Sequence, residues 1–156
     1  MSASVRTVVT HRFSASAGRV YDAWLDPQWL ERWMFGPQVR DERVLRLATE
    51  PRVGGRFSYA VDRCGLPVDH VGEYLELDPS QLIVFTWGIR GSRTEPGRVV
   101  VEIAGRADDG CDVTVTHIMA AAWTASRSSL ADSWRLMLGA LDRLLIEENS
   151  AVLSFS

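Results

Sequence analysis

The chain has 156 residues, 46% of them apolar, and a formal net charge of −3. That suffices for one domain with its own core and argues against disorder, and no apolar run approaches the ~18 residues of a membrane span. The 17 basic residues are all arginine, which excludes Schiff-base chemistry and a phosphate-loop lysine, and the mild negative charge removes the electrostatic case for a nucleic-acid partner.

The opening MSASVRTVV lacks an apolar leader core and a cleavage site, so a cytoplasmic protein is expected. Cys64 and Cys111 have no CxxC spacing and read as free thiols. Val5 to Phe13 alternates as a strand, with Val5, Thr7, Val9, His11 and Phe13 on one side. A turn over Ser14 to Gly18 leads into a short helix, Arg19 to Leu25. Asp26-Pro27 starts a second one, Pro27 to Trp33, with Asp26 as N-cap and proline at the first helical position. Gly36-Pro37 ends it.

From Asp41 onward the chain reads as strands. They run over Arg43 to Ala48, Arg56 to Asp62, Val68 to Leu77, Gln81 to Trp87, Val99 to Ala104 and Val113 to Met119. Gly54-Gly55 marks a turn or bulge, Cys64-Gly65-Leu66-Pro67 a loop, Asp78-Pro79-Ser80 a turn, Gly88 to Gly97 an exposed loop and Ala107 to Gly110 a hairpin turn. The last segment, Ser126 to Glu148, places Leu130, Trp134, Met137, Leu138, Leu141, Leu144 and Leu145 on one helical face, opposite Asp132, Arg135, Asp142, Arg143 and Glu147. Ser126, Ser128 and Ser129 offer N-cap oxygens. Such a helix, on the order of 35 Å long, needs a sheet to cover it. The expected architecture is therefore a single α+β domain over 1–156, one curved sheet around one long helix.

Particular residues sharpen this into a family resemblance. Phe13, Val20-Tyr21-Asp22-Ala23-Trp24, Asp26-Pro27 and Trp33 resemble the opening of the SRPBCC (START-like) superfamily. Trp33 with Gly36-Pro37, Arg52-Val53-Gly54-Gly55-Arg56-Phe57, Gly72 to Leu77, Leu82 to Trp87 and Ser133-Trp134 resemble its branch named after the activator of the Hsp90 ATPase. Ala120-Ala121-Ala122-Trp123 departs from the more polar stretch usual there. The resemblance implies a helix-grip fold of the START or birch-pollen-allergen kind. About seven antiparallel strands would curl around the final helix, with two short helices after the first strand and an apolar cavity between sheet and helix. It does not imply a reaction, since the superfamily includes lipid carriers, hormone-binding proteins and polyketide cyclases. Co-chaperone activity in the branch belongs to a larger eukaryotic protein with an additional domain.

Alternation extends to the site. Val99, Val101 and Ile103 should point inward, as should Val113, Val115, His117 and Met119, then Phe57 and Tyr59, and Phe85 and Trp87. In the central strand Val71, Glu73, Leu75 and Leu77 share a face, which places Glu73 inside, although a one-residue slip would reverse any of these assignments. An inward His117 and Glu73 need partners, shifted pKa values or water. They can bond core hydroxyls and arginines, contact a ligand's polar group, or act as an acid/base pair in a cyclisation or dehydration.

Trp24, Trp123 and Trp134 read as core. Trp33, Phe35 and Trp87 lie where a cavity mouth would be and suit either a flat ligand or plain packing. Asp69-His70 reads as a solvated turn, and the three histidines lack metal spacing. The leading expectation is a monomer or homodimer without cofactor or metal that binds a small hydrophobic molecule such as a lipid, polyketide or aromatic metabolite. Its cavity would be lined by Trp33, Phe35, Phe57, Tyr59, Glu73, Phe85, Trp87, Val101, His117, Met119, Trp134 and Leu138. A cyclase or dehydratase using Glu73 and His117, and a chaperone or regulator interaction module, are the alternatives.

Overall fold

The structure, a computed structural model, describes residues 4–36, 39, 42–120 and 127–154, the side chains of 120, 127–129 and 149–154 excepted. Its elements follow the expected order: β1 (Ser4–Phe13), α1 (Ala17–Leu25), α2 (Pro27–Trp33), β2 (Arg43–Thr49), β3 (Arg56–Arg63), β4 (Leu66–Asp78), β5 (Leu82–Ile89), β6 (Gly97–Gly105), β7 (Cys111–Ala120) and α3 (Arg127–Ser154). The strands form one antiparallel sheet in the order β1-β7-β6-β5-β4-β3-β2. Trp123 and the candidate N-cap Ser126 lie outside the described residues, as do Pro37 and the side chains of Ser128 and Ser129.

Local chemistry sets the joints. The Ser16 hydroxyl accepts from the Arg19 amide at the start of α1, and the Asp26 carboxylate accepts from the Gln28 amide at the start of α2. Asp26 closes one helix and opens the next, so the two short helices form a bent arm. Arg63 pairs with Leu66, so the loop expected over Cys64 to Pro67 shrinks to the two-residue turn Cys64-Gly65 and β4 begins two residues earlier than read.

The inner face of the sheet and the apolar face of α3 make one core. Trp134, Met137, Leu138, Leu141 and Leu145 of α3 are buried with Val9 and Phe13 of β1, Val99 and Val101 of β6, and Val113 and Val115 of β7. At about 25 cal/mol per Å² of apolar surface removed from water, this contact is the main stabilising term. A polar clasp accompanies it: His11 Nε2 lies 3.0 Å from Asp142 Oδ2, joining β1 to α3. At the far end Arg106 donates to the Phe13 and Cys111 carbonyls and to Asp108 and Asp112, closing the β6–β7 turn onto β1.

One irregularity matters for function. Tyr74 pairs with Phe85 but Glu76 pairs with Val84, which leaves Leu75 as an extra residue in β4. Such a bulge reverses the in/out alternation along the strand. His70 and Tyr74, 5% and 2% exposed, therefore face the core on one side of the bulge, and Leu77 packs against the core on the other. Glu73 lies on the outer face. The expectation of an inward Glu73 is corrected, because it extended one unbroken alternation back from Leu77 through the bulge. The reading of Asp69-His70 as a solvated turn is corrected too: both lie within β4, and only Asp69 points outward, where it accepts from Ser58, Arg46 and Arg90.

Candidate functional site: a cavity at one end of the grip

The middle of the sheet–helix sandwich is filled. Phe57 stacks on Tyr59 (centroids 4.6 Å apart, 22°) and meets Phe85 edge-on (5.6 Å, 86°). The void among Trp24, Met34, Phe57, Tyr59, Tyr74, Phe85 and Trp87 is only about 10 Å³, room for one water at most. Gly72 makes this packing possible. A Cβ there would come 2.4 Å from the Phe57 ring and 1.9 Å from the Thr86 carbonyl oxygen. The Tyr74 hydroxyl is 2.6 Å from Thr49 Oγ1 and 3.5 Å from the Tyr59 hydroxyl, and burial raises the pKa of both phenols.

A cavity of about 290 Å³ lies instead toward one end, between the β5–β6 hairpin, the close of β7 and the Leu130–Ser133 turn of α3. Its wall consists of His70 from β4, Trp87, Gly88 and Ile89 from β5, Ser92, Thr94 and Glu95 from the connecting loop, and Gly97 from β6. His117 and Met119 from β7 and Leu130 and Ser133 from α3 also line it. Three residues singled out from the sequence meet there: Trp87, His117 and Met119. Trp33 and Phe35 do not form its mouth. Both are buried, Trp33 with its indole N–H donated to the Ala23 carbonyl (3.1 Å) and its ring edge-on to Trp24, Phe35 against Tyr59. Phe57, Tyr59, Phe85, Val101, Trp134 and Leu138 are core residues beside or behind the cavity.

Each histidine of the wall is oriented from behind. The Trp134 indole N–H donates to His117 Nδ1 at 3.2 Å. An indole nitrogen can only donate, so Nδ1 is the bare nitrogen and the neutral ring carries its proton on Nε2. Burial pushes the His117 pKa down to about 4, which keeps the ring uncharged near neutral pH. His70 was missed from the sequence because Asp69-His70 was read as a solvated turn, whereas the histidine lies within β4 and faces the core. Its ring stacks on Trp87 (5.1 Å, 20°), and its Nε2 lies 3.3 Å from Arg63 Nη2. Arg63 is in turn paired with Glu42, so its charge is balanced behind the wall.

Glu73 stands on the opposite surface, in a polar groove with Arg56, Ser58, Thr86 and Arg90. An acid/base pair of Glu73 and His117 has no geometric basis, since the sheet separates them. Among the described residues no group of three or more His, Cys, Asp or Glu gathers as a metal site. Cys64 is exposed and Cys111 buried, both as thiols, and burial raises the Cys111 pKa to about 11.

A seven-stranded antiparallel sheet closed around a long C-terminal helix, with a cavity between them, defines the helix-grip class of the SRPBCC superfamily. Within it, the chain belongs to the family described as activator of Hsp90 ATPase homolog 1-like protein, whose pattern matches residues 14–145. Among solved structures it is similar to the protein CV1439 of Chromobacterium violaceum (25% identity, 90% of this chain and 95% of that one, TM-score 0.75). It is also similar in fold to SA2116 of Staphylococcus aureus (14% identity, 96% and 98%, TM-score 0.82) and NE0264 of Nitrosomonas europaea (14%, 94% and 97%, TM-score 0.78). No curated protein matches the chain. Among the described residues no helix is long and apolar enough to cross a membrane.

Proposed function

We propose that this protein binds a small, largely apolar molecule in the end cavity, with the histidine edges recognising a polar group on it. The observation that carries the reading is the wall itself: Trp87, Ile89, Met119 and Leu130 offer apolar surface, interrupted by His70 and His117 held in fixed orientations. A concave apolar site with a few oriented polar groups is the usual construction of a small-molecule pocket. At about 290 Å³ it sits at the small end of the ~300–1,000 Å³ range for such sites, which favours a compact ring system over a long acyl chain. The sequence expectation of a hydrophobic ligand is kept in this form, with the site moved from the middle of the grip to its end.

The test is thermal denaturation with a panel of one- and two-ring compounds and, in parallel, fatty acids. A ligand present at 100 times its Kd should raise Tm by about 5–10 °C for a chain of this size. Leu130→Trp, which fills the cavity, should abolish the rise while leaving the unliganded Tm within a few degrees. If no compound shifts Tm, or if Leu130→Trp leaves the shifts intact, the pocket is not the binding site.

A further inference from the structure

We propose that the cavity is selective for an uncharged hydrogen-bond acceptor, a ketone- or ester-type carbonyl on a ring system, which accepts from His117 Nε2–H while the apolar body rests against Trp87, Met119 and Leu130. The inference rests on the binding reading above and gives that site its ligand chemistry.

Three observations carry it. The first is the fixed tautomer. Because Trp134 occupies Nδ1 of His117 from the core side, the ring presents its Nε2 edge as a donor, and an acceptor is the matching group.

The second is access. Gly97 lines the cavity beside that edge, and a Cβ at 97 would stand 3.4 Å from His117 Nε2 and 3.6 Å from Cδ2. Glycine therefore leaves the donor uncovered. The same Cβ would also meet the Ile118 carbonyl oxygen at 2.7 Å, so the close pairing of β6 with β7 and the open donor share one cause.

The third is charge. Among the described residues the wall holds no arginine, and the chain has no lysine. Arg63, behind His70, is already held by Glu42. Burial holds the His117 pKa near 4, so the ring gives an anion no counter-charge near neutral pH. Glu95 at the rim adds a negative charge. Against these described groups a carboxylate would lose its hydration without finding a cation, whereas a neutral carbonyl exchanges one hydrogen bond for another.

The experiment is a three-ligand comparison by isothermal titration at pH 7.5, using 2-acetylnaphthalene, 2-ethylnaphthalene and 2-naphthoate. They share a ring system and differ in the group offered to His117. The ketone should bind roughly threefold to tenfold more tightly than the ethyl compound, the range of one neutral hydrogen bond, and the carboxylate more weakly than either. His117→Phe should erase the ketone's advantage while the ethyl compound still binds.

Because that variant can misfold, histidine ¹⁵N NMR on the unaltered protein supplies a second readout. His117 should be the Nε2–H tautomer, and only the ketone should move that resonance. Equal affinity of ketone and ethyl compound, preference for the carboxylate, or an Nδ1–H tautomer would overturn the inference and leave the cavity as an unselective apolar pocket. If none of the three binds while other members of the thermal panel do, the inference falls and the binding reading stands; if nothing in the panel binds either, both fall.

Discussion

The Trp134 indole N–H reaches from the last helix to Nδ1 of His117 on the last strand, 3.2 Å away, with both side chains in the interior. This one hydrogen bond seals helix to sheet next to the cavity and sets which nitrogen faces the void. Trp134→Phe keeps most of the apolar volume and removes only the donor. The buried acceptor then loses its partner, a loss of about 1–3 kcal/mol, readable as a lower urea midpoint with an unchanged slope. In the same variant the His117 resonances should show a mixture of tautomers.

The pH dependence follows from the same burial. The folded-state pKa of His117 is about 4 against an ordinary 6.5. Above pH 6.5 the ring is neutral in both folded and unfolded chains and contributes no slope. As pH falls from 6.5 toward 4, the unfolded chain takes up a proton that the folded chain refuses, so stability declines by up to about 3 kcal/mol. Urea melts every half pH unit should show that decline, and His117→Gln should flatten it. Asp69 acts lower on the scale. Burial tends to raise its pKa, but hydrogen bonds from Arg90 and Ser58 and the charges of Arg90 and Arg46 outweigh that and leave it below its usual 3.8. Its contribution is lost only beneath that value.

The two faces of β4 predict opposite outcomes for neighbouring polar residues. Glu73→Gln alters the outer groove and should leave the affinity for 2-acetylnaphthalene within about twofold and the stability within about 0.5 kcal/mol, as surface changes usually do. His70→Leu removes the ring stacked on Trp87 and the partner of Arg63, and should weaken binding and lower Tm together. Titration calorimetry beside thermal melts separates the two variants.

Gly72 is the most demanding backbone position of the core. Gly72→Ala would push a methyl into the Phe57 ring and the Thr86 carbonyl, and one of these is backbone that cannot turn aside. The expected loss is about 3 kcal/mol or more, at the upper end of overpacking effects. Circular dichroism melts will show it. Gly18→Ala, where a Cβ would meet nothing closer than Ser80 Oγ at 3.5 Å, serves as the control.

Much of this molecule was legible from residue order alone. The apolar steps of α3, the Asp26-Pro27 joint and the two-residue alternation of β1, β3, β6 and β7 each follow from a local period or a local cap. Hydrophobic burial then leaves few ways to combine one sheet with one long helix. His117 and Met119 could be aimed inward for the same reason, since an unbroken strand keeps its parity. The family pattern over residues 14–145 agrees with that local reading.

Tertiary structure alone decided the rest. The bulge at Leu75 is defined by the pairing of β4 with β5, a relation between strands that no single strand's pattern records, and it moved His70 into the wall and Glu73 out of it. Whether the middle of the grip is hollow depended on how Phe57, Tyr59, Tyr74 and Phe85 interdigitate over the missing side chain of Gly72. Sequence supplies the volumes of those rings, but their mutual packing decides where space remains. Here it remains toward one end, where two oriented histidines stand.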